Sequence, residues 1–520
     1  MKFIQGKDRN QVSFFCLEEQ IDDNNEIRFI ELFVNSINLA EAGFKMDFID
    51  NGRPAYHPAD LLKLFLYGYL NRIRSSRQLE KECKRNVELM WLMHGLVPDH
   101  NTICNFRKDN PAAIKNVFRS TVKLAQHFKL IGGKLLAGDG TKLRAQNSKK
   151  NNFNEKKIER HIAYIDAKLE EYSNVLAEQD GDVSTGSIAD EQKETIASKI
   201  AQHQLHRKKY ERLTAQLEAT GEVQISTSDP DSRQLIVRNN ITEVAYNVQS
   251  TVDAKHNIPI NYEVTNENDT KAMGGMLEQA VEVLGHHEFT AVFDKGYHTG
   301  SEFKKADELG VDVVVAIPDI PASSMAPDPA YNVANFVYKA AENVYICPEG
   351  NTLYTNGKWY KKDRNQPGRK KLSPIMVQHF KTPACKHCPA LKQCTKNTRG
   401  RGRVIERSEH ASYIEKNKLR MEQDSELYRL RQAIVEHPFG IIKRQWDFYY
   451  IMTKRGIKRA SADVGLIFTA FNLRRIFNIL DQNLLKKFLK ELALYFLVLR
   501  SHFKPFCGIL FSKKITLHLK

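Results

Sequence analysis

No stretch of this 520-residue chain is apolar for long enough to cross a bilayer as a helix, which takes roughly 18–20 residues. The longest such run, Leu492 to Leu499, is far too short. A secretory leader is not expected either, because the opening Met-Lys-Phe-Ile-Gln-Gly-Lys-Asp turns polar at once. Acid is in short supply: 62 Asp and Glu stand against 78 Lys and Arg, a formal net charge of +16. That excess favours a polyanionic partner such as nucleic acid, although a generic basic protein would share it. Cysteine is sparse. There are eight, and four of them fall between 347 and 394, which is not the spread of a disulfide framework. A reducing cytoplasm is the expected compartment.

What is present reads as several domains. Residues 54–130 read as helical. Pro58 suits a first helical turn, Leu61, Leu62, Leu64, Phe65, Tyr67 and Leu70 extend an apolar face, and Ser75-Ser-Arg-Gln78 resembles a capping box for a basic helix over 78–86. Pro98 to Arg107 reads as a cap leading into a short polar helix that suits a DNA major groove, with Asn101 and Arg107 as DNA-binding candidates. A packing domain with a solvated basic face is the competing reading. Ile158, Ile162, Ile165, Leu169, Tyr172 and Leu176 then repeat in a 4-3-4-3-4 pattern. A polar turn over 180–186 and a second apolar face, Ile196 to Leu217, complete a helical-hairpin insertion over 150–220. Beyond it, a hairpin around Lys255-His-Asn257 is followed by helix 271–284, strand 289–294, helix 301–309 and strand 311–317. The order implies a mixed α/β sheet with helices on its faces.

Three acids carry the chemistry. Asp139, in Gly-Asp-Gly-Thr, and Asp294, in Phe-Asp-Lys-Gly-Tyr, end short strand-like apolar runs. Glu436, in Val-Glu-His-Pro-Phe-Gly, follows a helical stretch. Carboxylates on rigid elements can hold two Mg²⁺ ions about 3.5–4 Å apart for in-line displacement at phosphorus. Any one aspartate at a strand end is more often a cap or turn former; the three together, in this order, point to the metal site. Around Glu436 lie Tyr428, Arg431, Lys443 and Arg444, groups suited to DNA phosphates. Lys443 shares the helical face of Glu436 and Arg431 lies partly off it, while Pro438 sets a helix start or a kink nearby.

The cysteine group supplies a second signal. Cys385-Lys-His-Cys388, then Cys394, with Cys347 upstream, can close a tetrahedral structural Zn²⁺ site. Four reduced structural thiols are the alternative. Such a site would pin an insertion over 320–410 whose basic stretches, 361–371 and 399–403, suit phosphate contacts. The tail over 480–520 reads as basic and amphipathic.

These motifs resemble a bacterial insertion-sequence transposase of the DDE type, from the branch with a Tyr-Arg-Glu-Lys signature. The resemblance rests on Asp139, Asp294, Tyr428, Arg431, Glu436 and Lys443, and on the segments Arg53-Pro-Ala-Tyr-His-Pro, Ala245-Tyr-Asn-Val-Gln249 and Phe471-Asn-Leu-Arg-Arg475. It departs at Arg431, which is followed by four residues before the glutamate where the branch has three. The resemblance implies a ribonuclease-H-like catalytic domain over 131–145 and 222–478, behind an N-terminal helical DNA-binding domain over 1–130. It further implies Mg²⁺ or Mn²⁺ on the three acids, cutting at element ends and strand transfer into target DNA, as a homodimer or larger assembly at the nucleoid. A repressor or an inactive relic with the same fold, or a nuclease that never joins, are the alternatives.

Overall fold

The computed structural model describes residues 10, 16–46, 54–181, 188–238, 241–322, 324–364, 372–397, 402–453 and 455–502. Arg53, the turn at 182–186, the basic residues 365–371 and 399–401, Cys507 and the segment 503–520 lie outside them. The chain divides into two compact units, Met1–Leu130 with Ser461–Lys520, and Ile131–Ala460.

The first unit is helical. Its centre is the helix Pro58–Leu70, with Pro58 at the first position and the His57 ring accepting from the Ala59 N–H. Leu62, Leu64, Phe65, Leu66 and Tyr69 are all buried. Apolar residues run right round this helix, so it is covered on every side. The helix expected over 78–86 is Ser76–Cys83, which leaves Lys84 and Arg85 past its end, and the Ser75 side chain makes no cap bond, so the capping box suggested by the sequence does not form. Asp99 does cap the next helix, His100–Asp109, accepting from the N–H groups of Asn101 and Thr102.

The sequence reading assigned 461–478 to the sheet domain; in the structure these residues belong to the helical unit. Val464, Leu466, Ile467, Phe468, Phe471 and Leu473 are buried, and Phe468 meets the edge of Phe118. Their apolar side chains need a helical core to cover them, and the first unit supplies it. The helix Gln482–His502 buries Leu485 and Leu489 and stacks Phe488 on His127. Among the described residues, no helix is long and apolar enough to cross a membrane.

The second unit is built on a mixed sheet of seven strands: β1 (Leu135–Arg144), β2 (Arg233–Arg238), β3 (Ile241–Asp253), β4 (Ile258–Pro259), β5 (Glu263–Thr265), β6 (Thr290–Phe293) and β7 (Asp312–Val315). The main path runs β2-β3-β1-β6-β7, with β4 and β5 pairing along β3. β1 is antiparallel to β3 and parallel to β6, and β6 is parallel to β7. Helices Met273–Leu284 and Gly300–Glu308 make the crossovers that parallel pairs require.

Two long helices, Glu155–Gly181 and Ile188–Thr220, interrupt the unit between β1 and β2. At their base, Ile158, Leu213 and Leu217 close a core with Phe153 and Ile225. A second interruption holds two small antiparallel sheets. Val337–Lys339, Val344–Ile346 and Thr352–Tyr354 form one; Tyr360–Lys362, Ile375–Phe380 and Ile405–Ser408 form the other. Phe336, Tyr345, Leu353, Phe380 and Ile405 form their shared core. The sequence reading gave this region no strands, because each is only three to six residues long and too short to show a period.

Candidate active site

Asp139 lies mid-strand rather than at a strand end. The apolar run stops at Ala137, but β1 continues to Arg144 because β3 pairs with it residue by residue through Arg144. Asp294 follows β6 directly, and its Oδ1 accepts from the Gly296 N–H at 2.8 Å, which turns the chain out of the sheet. The parallel register pairs Ala137 with Val292. Carried two residues on, it sets Asp139 level with Asp294 on neighbouring strands. The two carboxylates feel each other's charge.

Asp139 is pushed up to about 6. Burial is the main cause; the Arg431 guanidinium and the Gly140 N–H oppose it, and the charges of Asp294 and Asp269 add to it. Arg431 Nη1 donates to Asp139 Oδ2 at 3.2 Å, and the Gly140 N–H donates to Oδ1 at 2.7 Å. Arg431 also engages Tyr428 of its own helix.

That helix, Ser425–Gly440, packs across β1 and β6. Pro438 lies inside it, neither at its start nor at its end, and the chain continues into a wider π-helical turn at Ile441–Gln445. Pro438 has no N–H to donate, and such a turn commonly accompanies a functional helix. Within the turn, Lys443 Nζ donates to Thr141 Oγ1 at 3.2 Å and to the Lys142 carbonyl at 3.3 Å. Burial, together with the charges of Lys142 and Arg444, holds the Lys443 amine below its ordinary value. Arg444 is exposed.

Of the three acids, the structure brings two together. Glu436 is exposed on the same helix, and its Oε1 accepts from Gln432 Nε2 at 2.9 Å. The guanidinium of Arg431, five residues earlier, takes the place beside Asp139. Among the described residues, no three His, Cys, Asp or Glu side chains are arranged to hold a metal ion as they stand. Asp139 and Asp294 nonetheless offer hard oxygen donors side by side, the donor type Mg²⁺ and Mn²⁺ prefer.

A fourth acid escaped the sequence reading. Asp269 lies behind β1, where Lys142 Nζ approaches its Oδ2 at 3.1 Å. The amides of Asn247 and Gln249 donate to its Oδ1 at 2.8 and 2.7 Å. Burial would raise its carboxyl, yet Lys142 and the two amides hold it below the ordinary value. The signal was present in Asn266-Glu-Asn-Asp269, between a strand and a helix, but it reads as ordinary turn chemistry.

The DNA-reading candidates of the first unit separate. Asn101 is exposed at the start of its helix. Arg107 is buried, 3 % exposed, and donates to Asp463 Oδ1 at 3.3 Å, to the Tyr69 hydroxyl at 2.9 Å and to the Arg74 carbonyl at 3.3 Å. The sequence reading of Arg107 as a DNA ligand is therefore corrected: its guanidinium is committed to the core.

The four cysteines converge. Cys347, Cys385, Cys388 and Cys394 line one cavity of about 20 Å³ with Tyr331, Phe336 and Arg403, and all four are free thiols. Burial raises the Cys394 thiol above its ordinary value against the pull of Arg403. The Asn351 N–H donates to Cys347 Sγ at 3.3 Å. They are soft donors in the number zinc takes, but as they stand they too are not arranged to hold a metal ion.

Residues 15–109 match the family model described as "Transposase domain (DUF772)", and residues 346–477 match that described as "Transposase DDE domain". No curated protein matches the chain. The first match covers the helices around Pro58–Leu70. The second covers the cysteines and the Glu436 helix, while Asp139 and Asp294 lie outside both. Two separate segments of the chain are thus similar to transposase domains, the second of the DDE type.

Proposed function

We propose that this chain, with transposase segments in both of its halves, cuts the ends of its own insertion sequence and joins them to target DNA by metal-dependent phosphoryl transfer. The observation that carries the reading is the pair Asp139 and Asp294, level on neighbouring parallel strands, with the Glu436 helix packed across them. The strand order β2-β3-β1-β6-β7, three antiparallel strands followed by two parallel ones, supports a ribonuclease-H-like sheet.

In this reading Asp139, Asp294 and Glu436 hold Mg²⁺ or Mn²⁺. When bound, the ions activate the attacking oxygen and stabilise the leaving one. Arg431, which neutralises Asp139, would be available to a DNA phosphate with Asp139 engaged by an ion. Tyr428 orients Arg431. Lys443, fixed on Thr141, and Arg444, exposed beside it, flank the backbone of the scissile strand. Asn101, at its exposed helix start, contacts DNA from the helical unit. The four cysteines hold a structural Zn²⁺; their convergence on one cavity supports this. The partners are double-stranded element ends and target DNA, met by a homodimer or larger assembly at the nucleoid.

The test is excision in cells from a plasmid carrying the gene and its native flanking DNA, beside the same plasmid with Asp139→Asn. Movement with the wild type only is the expected result. If the segment leaves neither plasmid while the purified protein binds the flanking DNA, the chain is a binding protein or an inactive relic. Cleaved ends without joined products would instead make it a nuclease.

A further inference from the structure

Behind β1, on the face away from Asp139, lies a polar cluster with no place in the chemistry above. Side chains alternate along a strand, so Asp139 and Thr141 face the Glu436 helix while Gly138, Gly140 and Lys142 face the other way. On that rear face Gly140 pairs with Gln249, and Lys142 with Asn247. Asp269 sits over Gly140. A Cβ at Gly140 would come within 2.5 Å of Asp269 Oδ1 and 2.8 Å of Gln249 Nε2. Only a residue without a side chain lets the cluster lie directly against the strand backbone that carries Asp139.

Asp269 is the hub. Its oxygens are taken up by Lys142 of β1 and by the Asn247 and Gln249 amides of β3. Gln249 accepts in turn from the buried hydroxyl of Tyr297. Tyr297 lies three residues past Asp294, in the turn that Asp294 itself caps. Gly296 of that turn would place a Cβ 3.0 Å from Asp294 Oδ1 and 3.7 Å from Asp269 Oδ2. One carboxylate thus ties together the strand of Asp139 and the turn of Asp294.

We infer that Asp269 is a positioning residue that fixes the distance between Asp139 and Asp294 through the Lys142 and Gln249–Tyr297 links, and so sets the affinity of the site for its divalent ion. The inference rests on the reading of Asp139 and Asp294 as metal ligands. Partners behind metal ligands typically contribute about 10–100-fold in metal affinity.

The experiment uses the full purified chain and Mn²⁺ binding followed by calorimetry, beside cleavage of native end DNA across a Mg²⁺ series. Asp269→Ala is expected to weaken Mn²⁺ binding by about 10–100-fold, with cleavage recovering at high Mg²⁺. Thermal melting should fall somewhat, since Lys142 and the two amides lose a largely buried partner, while DNA affinity should stay at the wild-type value. Tyr297→Phe should weaken binding less, and Gly140→Ala should mimic Asp269→Ala without removing a charge. Wild-type Mn²⁺ affinity in Asp269→Ala would overturn the inference, as would a cleavage defect that no Mg²⁺ concentration restores. Asp139→Asn runs in parallel: if it binds Mn²⁺ like the wild type, the metal-site reading itself fails, whereas loss there with normal binding in Asp269→Ala sinks only the role of Asp269.

Discussion

Each of the two units has a carboxylate with arginine beside it, one fully buried and one partly open, and the two are used in opposite ways. Asp463, in the helical unit, is 0 % exposed. Arg74 donates to it at 2.6 Å and Arg107 at 3.3 Å, and the Tyr69 hydroxyl completes its shell. Arg107 also lies over the Phe65 ring. Asp139, in the sheet unit, keeps about a quarter of its side chain exposed and has one arginine at 3.2 Å. The first carboxylate is sealed from solvent with three donors on it; the second takes two and keeps an open side. The difference teaches that charge and burial alone do not mark a functional acid. The saturated cluster holds helices together, and the undersupplied one is where a ligand can enter.

Several substitutions would break or sharpen this contrast. The largest effect belongs to Asp139→Ala and Asp294→Ala, each expected to lower cleavage of end DNA by at least on the order of 10²-fold. DNA affinity in gel shift should hold, since basic side chains supply most of it. Cleavage at the wild-type rate by either variant would remove both acids from the mechanism. Asp463→Ala comes next. It leaves two buried guanidiniums without their anion and should cost about 3–5 kcal/mol in denaturant unfolding; an unchanged midpoint would mean that the cluster holds nothing.

A smaller effect follows from the raised carboxyl of Asp139. Its folded value, about 6, lies above that of the unfolded chain, so the folded protein keeps a proton that the unfolded chain gives up. This contribution to stability is complete below the ordinary carboxylate value and is lost as pH rises through about 6. Without metal, Asp139→Asn should therefore unfold later than the wild type at pH 8, by on the order of 1 kcal/mol, and no later near pH 4. Equal urea midpoints at both pH values would contradict this. Smallest for catalysis is Cys385→Ser. It should take bound zinc, measured by atomic absorption, from about one per chain to none while cleavage falls only modestly. A wild-type chain purified without zinc would end the metal reading of the four thiols.

Much of the sheet was legible in the chain. Short apolar runs before Asp139 and Asp294, the turn at Lys255-His-Asn257 and the helix ahead of β6 lie close to where the pattern put them, because period and turn chemistry are local. The rear cluster was not legible. Asp269, Asn247, Gln249 and Tyr297 are spread over fifty residues and each has an ordinary local role; only the pairing of β3 with β5 and β1, and of β1 with β6, joins them. Arg107 misled for the same reason. A basic residue on a short polar helix looks solvent-facing until Asp463, more than three hundred residues later, is folded against it.

The sequence by itself determined the net charge of +16, the identity of the acids and their order, and the clustering of four cysteines within fifty residues of chain. Tertiary structure decided which acids meet. Strand register brought Asp139 and Asp294 level, Arg431 took the place beside Asp139, and Glu436 was left outward-facing on its helix. The physical reason is that electrostatic and hydrogen-bond energies depend on distance and burial, and for residues far apart in the chain these come into being only when strands pair and helices pack.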